Sequence, residues 1–387
     1  MAEAPAQIEW EEGGAAHRAR WRSERGAAPP RRVLTVDDTI GADAAHHLTS
    51  QGTALLWRGD YHQAVQLLQA VARRIDKGRA RRATRAAPTG AEAFHLHRQA
   101  QAQRARLLGA LLVPIDADRT VPLRRAPDLR PALDAAWGPP GADEQAGVIA
   151  LRELQGLVGA HEWRRKGVEI PALGPPPGNR IHPHYGVFSP VRGEYVDLVA
   201  QAPWPPAGDE LAFDVGTGTG VLAAVLARRG AARVVATDTD PRALACAAEN
   251  LERLGVRDRV ELVRADLFPP GGAGLVVCNP PWLPARPAAP IERAVYDEGG
   301  AMLKGFLAGL AAHLAPGGEG WLLMSDLAEH LGLRPADELP ALFSAAGLRV
   351  LGRLEARPRH GKALDPDDPL HAARSAERTS LWRLAAA

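Results

Sequence analysis

Leu211-Ala-Phe-Asp214-Val-Gly216-Thr217-Gly218-Thr-Gly220-Val221 decides the fold of this 387-residue chain. Leu211 to Phe213 is a short apolar run that reads as a strand, and Val221 to Arg229 reads as a helix. The glycines between them allow a tight turn and let backbone amides come close to a ligand. Working outward, Arg233 to Thr237 is a second strand ending in Asp238. The next helix is framed by Asp240 as N-cap, Pro241 in its first turn and Gly255 as its stop. Val260 to Val263 is a third strand leading to Asp266, and Leu275 to Cys278 is a fourth, buried by composition. Strands and helices in alternation imply a right-handed, mostly parallel α/β sheet. Further on, Ala301 to Leu314 is an amphipathic helix closed by Pro316-Gly-Gly, Trp321 to Met324 a strand and Ala336 to Ala346 a helix. Arg349 to Leu354 and Thr379 to Leu384 are expected to pair as a final antiparallel hairpin. The polar insertion between them, Ala356 to Arg378, holds His360 and His371; it is read equally as an acceptor contact or a surface loop.

A glycine-rich turn after a strand is a weak signal by itself, because nicotinamide enzymes use one too. Here the spacing is Gly-x-Gly-x-Gly, which departs from the dinucleotide pattern Gly-x-Gly-x-x-Gly. Asp214 stands two residues before Gly216, where a carboxylate can face a cationic methionine moiety. Asp238 at the second strand's end can accept both hydroxyls of a ribose, and Asp266 after the third can meet an adenine amino group. The combination favours S-adenosylmethionine as cofactor, held by Asp214, Gly216, Thr217, Gly218, Gly220, Asp238, Asp266 and Asn279.

Asn279-Pro280-Pro281-Trp282 follows the fourth strand. Consecutive prolines fix the backbone and remove donors, leaving carbonyls free to accept. The amide oxygen of Asn279 and the carbonyl of Pro280 can each take one hydrogen of an incoming NH2, aiming the nitrogen lone pair at a methyl donor. Trp282 offers a face on which a base or planar amide can stack. The expected catalytic set is Asn279, Pro280, Pro281 and Trp282.

These two motifs resemble those of the class I S-adenosylmethionine-dependent methyltransferases that carry Asn-Pro-Pro-aromatic, the small methyltransferase domain group. The similarity covers residues 180–385. It implies a Rossmann-like seven-stranded sheet preceded by a mostly helical N-terminal domain. Asn279-Pro-Pro-Trp-Leu-Pro284 and Ala294-Val-Tyr-Asp-Glu-Gly299-Gly300 are similar to segments of the branch that methylates glutamine side-chain amides of release factors or a ribosomal protein. Gly186-Val-Phe-Ser189 and Ala312-His-Leu-Ala-Pro316-Gly-Gly318 are similar to segments of the branch that methylates guanine in ribosomal RNA. Trp282 stands where Tyr or Phe is usual, and Ser189-Pro-Val-Arg-Gly-Glu194 lacks the first branch's Pro-Arg-Pro-Glu-Thr, so the acceptor stays open between protein and RNA.

The rest of the chain is less informative. The expected divisions are a loose tail over 1–35, a recognition domain and linker over 36–178, and the methyltransferase domain over 179–387. Tyr61, Ala64, Val65, Leu68, Val71, Ala72 and Ile75 form one apolar helix face, with Asp60 as N-cap and Gly78 as stop. Residues 114–147 are proline-rich, Val148 to Val158 reads as a helix and His161 to Ala172 as a strand. Residues 73–106 hold ten basic side chains (Arg73, Arg74, Lys77, Arg79, Arg81, Arg82, Arg85, Arg98, Arg104 and Arg106) against Asp76 and Glu92. This stretch is an RNA-contact candidate weighed against a solvated linker. His95 and His97, two apart, do not share a helix face, which argues against a metal site. Arginine outnumbers lysine 43 to 4 while net charge is only +2, so the arginine content is a compositional bias without steering toward a polyanion. Cys246 and Cys278 fit small core residues in a reducing compartment. With no secretory signal and no apolar run near the roughly 18 residues a membrane helix needs, the expected location is the cytoplasm. The expected activity is N-methylation of a planar NH2 on a translation-related macromolecule, a protein glutamine ahead of an RNA base. A small-molecule methyltransferase, a non-catalytic cofactor-binding scaffold gripping RNA and a nicotinamide oxidoreductase are the alternatives.

Overall fold

A computed structural model describes residues 6–82, 89–287, 290–359 and 361–387. Residues 1–5 of the expected tail, Arg85 and His360 lie outside the described residues, as do the side chains of Arg81 and Arg82. The chain divides into two compact units, Met1–Pro88 with His95–Glu162, and Thr89–Phe94 with Trp163–Ala387.

In the first unit, β1 (Gln7–Glu12) and β2 (Ala15–Arg22) form a hairpin where a loose tail was expected. Its turn is Gly13-Gly14, both at positive φ (61° and 79°), the two-residue connection that suits the twist of paired strands. Ile8 and Trp21 are its buried anchors. There follow β3 (Val33–Val36), α1 (Ala42–Ser50), β4 (Ala54–Trp57), α2 (Tyr61–Arg82), α3 (Gly90–Leu108), β5 (Leu111–Ile115), α4 (Arg130–Trp137), β6 (Gly147–Ala150) and α5 (Leu151–Lys166). The strands make one mixed sheet in the order β1-β2-β6-β5-β4-β3. The unit is rich in helix, as expected, but its helices accompany a sheet that short strands hid. Asp60 does cap α2, its Oδ1 accepting from the amides of His62 (2.9 Å) and Gln63 (3.3 Å). Gly78 does not end that helix, which runs on through alanine and arginine, good helix formers. The helix expected over 148–158 and the strand over 161–172 are also revised. Gly147–Ala150 is strand, and α5 continues to Lys166, where Gly167 at φ 70° stops it.

The second unit opens with a short hairpin, β7 (Val168–Glu169) with β8 (Arg180–Ile181), and helix α6 (Glu194–Gln201). The alternating run follows: β9 (Leu211–Val215), α7 (Val221–Arg229), β10 (Arg233–Asp238), α8 (Pro241–Arg253), β11 (Val260–Arg264), β12 (Ala273–Cys278), α9 (Ala301–Leu310), β13 (Leu314–Ser325), α10 (Leu327–His330), α11 (Glu338–Ala345), β14 (Leu348–Ala356), α12 (Gly361–Leu364), α13 (His371–Ala376) and β15 (Thr379–Ala386). Pro316-Gly-Gly, expected to close a helix, lies inside β13; α9 ends earlier, in a 3-10 turn over Ala311–His313. The sheet order is β11-β10-β9-β12-β13-β15-β14. Its first five strands are parallel, and β15 runs antiparallel between β13 and β14. This is the Rossmann-like seven-stranded sheet expected from the sequence. Its central strands, β9, β10, β12 and the second half of β13, read as largely apolar runs because apolar clusters cover both faces. Among the described residues no helix is long and apolar enough to cross a membrane.

Candidate active site

Register decides what meets at the sheet's carboxyl edge. Val215 is paired with Thr237 of β10 on one side and with Cys278 of β12 on the other. The glycine turn, Asp238 and Asn279 therefore leave three adjacent strands at one level.

Gly216, Gly218 and Gly220 adopt φ of 76°, 54° and 80°, the left-handed region that glycine enters freely. A side chain at Gly220 would put its Cβ 3.1 Å from Ala247 Cβ, so this glycine lets α7 and α8 pack closely; at Gly218 the same space is open. Four of the turn's amides, expected to face a ligand, are already engaged. Gly216 and Thr217 donate to Thr237 O (3.0 and 2.8 Å), Gly218 to Asp238 Oδ2 (3.0 Å) and Gly220 to Thr217 O (2.9 Å).

Asp214 sits beneath the turn, 1 % exposed. Its Oδ2 accepts from Thr217 Oγ1 (2.7 Å) and from the amide of Ala223 in the first turn of α7 (3.0 Å). Burial pushes its carboxyl up to about 6, against those two hydrogen bonds and with help from the nearby Asp238 charge. The N-terminus of α7 thus holds a carboxylate of the protein's own, where dinucleotide-binding folds seat a phosphate.

Asp238 is oriented by two amides, Gly218 on Oδ2 and Asp240 on Oδ1 (both 3.0 Å), and burial raises its carboxyl above the usual range. Asp266 is exposed beyond the end of β11. The following Leu267 takes φ 66°, unusual for a residue with a Cβ, and Thr237 Oγ1 holds its carbonyl at 2.5 Å. Asp214, Asp238 and Asp266 accordingly step outward across β9, β10 and β11.

On the other side of β9, Asn279 is half-buried and Pro280 buried. The indole Nε1 of Trp282 donates to Asn279 Oδ1 at 3.0 Å, which fixes the side-chain amide. The Trp282 ring packs against both apolar clusters of the sheet, and the Arg192 guanidinium lies over it, 5.7 Å from the ring centre. Trp282 is therefore less open as a stacking platform than sequence alone implies.

Four neighbours lie outside the glycine-rich and Asn-Pro-Pro-Trp motifs. Arg192 is one. Arg334, 5 % exposed, reaches Trp282 O at 3.4 Å, and burial lowers its guanidinium. Asp297 accepts from the amides of Met302 (3.1 Å) and Leu303 (3.2 Å) at the start of α9, while its own amide donates to Leu283 O (2.9 Å). Met302 comes close enough to the turn that a Cβ on Gly216 would stand 2.7 Å from its Cε. Only Asp297 had a local signal, an acidic residue shortly before a helix.

The described part of the basic stretch belongs to α2 and α3, and part of its charge is neutralised locally. Arg104 forms a two-point pair with Asp76 (2.8 and 3.0 Å), and Arg74 pairs with Asp43. Among the described residues no group of three or more His, Cys, Asp or Glu is arranged to hold a metal ion.

Residues 206–308 match the family described as ribosomal protein L11 methyltransferase (PrmA). A release factor glutamine methyltransferase of Cereibacter sphaeroides is 38% identical over 164 residues, 38% of this chain and 56% of that protein. A ribosomal protein L11 methyltransferase of Pelotomaculum thermopropionicum is 39% identical over 145 residues, 37% of this chain and 39% of that protein. The chain thus spans about half the length, or less, of these curated relatives. The crystal structure of ribosomal protein L11 methylase from Lactobacillus delbrueckii subsp. bulgaricus covers 54% of this chain and 88% of its own, at 18% identity and TM-score 0.37. The resemblance to S-adenosylmethionine-dependent methyltransferases is borne out by the matched family and the named relatives.

Proposed function

We propose that the chain is an S-adenosylmethionine-dependent N-methyltransferase acting on a planar NH2, most specifically a glutamine side-chain amide of a translation factor or ribosomal protein. The observation that carries this reading is the shared edge, with the Asn279 amide one strand away from the glycine turn and two from Asp238.

The residues fit the cofactor for a physical reason. A dinucleotide needs free amides and a helix N-terminus for its pyrophosphate. Here the amides of Gly216, Thr217, Gly218 and Gly220 have acceptors, and Asp214 supplies negative charge at that terminus. The combination repels a phosphate and suits a cation. Asp214 and the turn would hold the cationic methionine end, Asp238 the ribose hydroxyls and Asp266 the adenine. The bound cofactor supplies a methyl group already activated on a sulfonium, so the protein's main task is alignment.

Asn279 Oδ1 spends one lone pair on the Trp282 indole and keeps the other for an acceptor N–H. The Pro280 carbonyl takes the second hydrogen and points the nitrogen lone pair toward the cofactor side. No general base is required first, since the nitrogen can lose its proton after transfer.

Between the two acceptors, the amide is favoured. A base needs an open aromatic face, whereas the Trp282 ring lies beneath Arg192 and against the apolar clusters. The relatives named above for a release factor glutamine and for a ribosomal protein point the same way. An acceptor of that kind supports a cytoplasmic location.

Purified protein, labelled cofactor and a whole-cell extract test the reading. Label should enter protein; label in RNA with none in protein would reverse the acceptor assignment. Asn279→Ala is expected to lower transfer by about a hundredfold or more, with cofactor affinity nearly unchanged by calorimetry. Undiminished turnover would refute the role of Asn279.

A further inference from the structure

Arg192 lies outside both sequence motifs, yet its contacts run into the acceptor side of the site. Its Nη2 donates to Glu377 Oε2 at 3.1 Å, and Glu377 is only 1 % exposed. The other oxygen of Glu377 accepts from Ser325 Oγ (2.6 Å) at the end of β13, and that hydroxyl accepts from the amide of Leu327 (3.0 Å). The guanidinium so tethered covers the Trp282 ring, whose Nε1 holds Asn279 Oδ1. A continuous series of contacts thus joins the strand end at Ser325, through Glu377, Arg192 and Trp282, to Asn279.

We propose that Arg192 is a positioning residue of this site, holding the Trp282 indole and, through it, the Asn279 amide in the orientation that receives the acceptor. The proposal rests on the methyltransferase reading given above.

Two physical points support it. A buried carboxylate deprived of its cation is strongly unfavourable, so Glu377 keeps the guanidinium in place. A guanidinium is also planar and stacks on an aromatic face while donating at its edge, which a lysine ammonium cannot do. The two demands on residue 192 can therefore be separated. Lysine can satisfy the charge of Glu377, but its single ammonium point cannot both pair there and lie over the Trp282 ring.

The test compares wild type, R192A, R192K, W282F and R192A/W282F, using labelled cofactor and the extract fraction that wild type methylates. R192A should lower kcat by about 10- to 100-fold, the range a displaced contact produces, with the acceptor KM and cofactor Kd within about threefold. R192K should recover the melting temperature and leave kcat low; recovery of both by lysine would reduce Arg192 to a charge partner and overturn the proposal. The double variant should be no slower than W282F alone, because the two residues act in series. Multiplicative losses would also overturn it. An arm without acceptor follows the Trp282 indole N–H by NMR, identified by its absence in W282F. Its exchange protection should fall in R192A, and unchanged protection counts against the proposal. A wild type that methylates nothing while that protection falls removes the methyltransferase reading itself. An active wild type indifferent to R192A removes only the Arg192 assignment.

Discussion

Asp214 gives the sharpest quantitative handle on the site. It is 1 % exposed, and its carboxyl rises from an ordinary 3.8 to about 6. A rise of that size is worth about 3 kcal/mol. The folded chain binds this proton more tightly than the unfolded chain does, so the native state carries the extra proton between about pH 4 and pH 6. Asp214's contribution to stability is therefore greatest below about pH 4, declines as pH rises through about 6 and is constant above that. Asp214→Asn does not titrate. Its amide oxygen can still accept from Thr217 and Ala223, while its NH2 is left in a dry place at a cost of about 1–3 kcal/mol. The variant should be less stable than wild type by that amount near pH 4 and should match or slightly exceed it near pH 7. Urea unfolding of both proteins across this range measures the difference, in which the other carboxylates cancel. The difference should change by about 3 kcal/mol between the two ends. A flat difference would refute the reasoning, because it would mean that the carboxyl carries no buried-charge penalty. Affinity of the wild type for S-adenosylmethionine should also fall below about pH 6, when neutral Asp214 no longer complements a cation.

Two further perturbations separate backbone demands from contacts. Gly220→Ala must hold a Cβ at φ 80° against Ala247, whereas Gly218→Ala at φ 54° meets open space. Thermal melting should therefore show a loss of about 1 kcal/mol for Gly218→Ala and about 2–4 kcal/mol for Gly220→Ala, where overpacking adds to it; equal losses would contradict the close approach of α7 and α8. Asp297→Ala removes the acceptor for the first amides of α9 and should cost about 1–2 kcal/mol, measured by urea unfolding. It should also weaken cofactor binding, because Met302 packs against Gly216; unaltered affinity would detach α9 from the glycine turn.

The second unit was legible because its parallel strands are covered on both faces and read as bare apolar runs, punctuated by Asp240, Pro241 and the glycines. Helix α7 falls over Val221–Arg229 as the spacing indicates. The first unit was harder because β3, β4 and β6 have four residues each, too few for a period to emerge beside helices such as α2. Gly13-Gly14 was a readable hairpin signal, obscured by charged neighbours that belong to exposed strand faces. Gly78 and Gly167 illustrate the limit of glycine as punctuation. Only Gly167, at φ 70°, takes the left-handed conformation that ends a helix, and composition alone does not reveal which glycine will do so. Arg192 and Arg334 were illegible as site residues for another reason, since they reach it through tertiary contacts, while Glu377 falls in the insertion Ala356 to Arg378 with nothing to single it out there.

Under the proposed function, sheet order gives the two motifs separate flanks. The chain lays β10 and β11 on one side of β9 and then crosses to lay β12 and β13 on the other. A topological switch of this kind leaves a crevice at the carboxyl ends of the strands flanking it. Asp214, Asp238 and Asp266 fall on β9 and the strands laid first, while Asn279 and Ser325 fall on those laid afterward. One flank can thus keep a cofactor constant while the other adapts to different acceptors. The segment matching the methyltransferase family, residues 206–308, includes all three carboxylates and Asn279 through Trp282. Arg192, Arg334 and Glu377 fall outside it, on segments that pack against the acceptor flank. Acceptor choice in this chain is therefore best sought among side chains that no cofactor motif contains, and Arg192 is the one whose contacts run through Trp282 to Asn279.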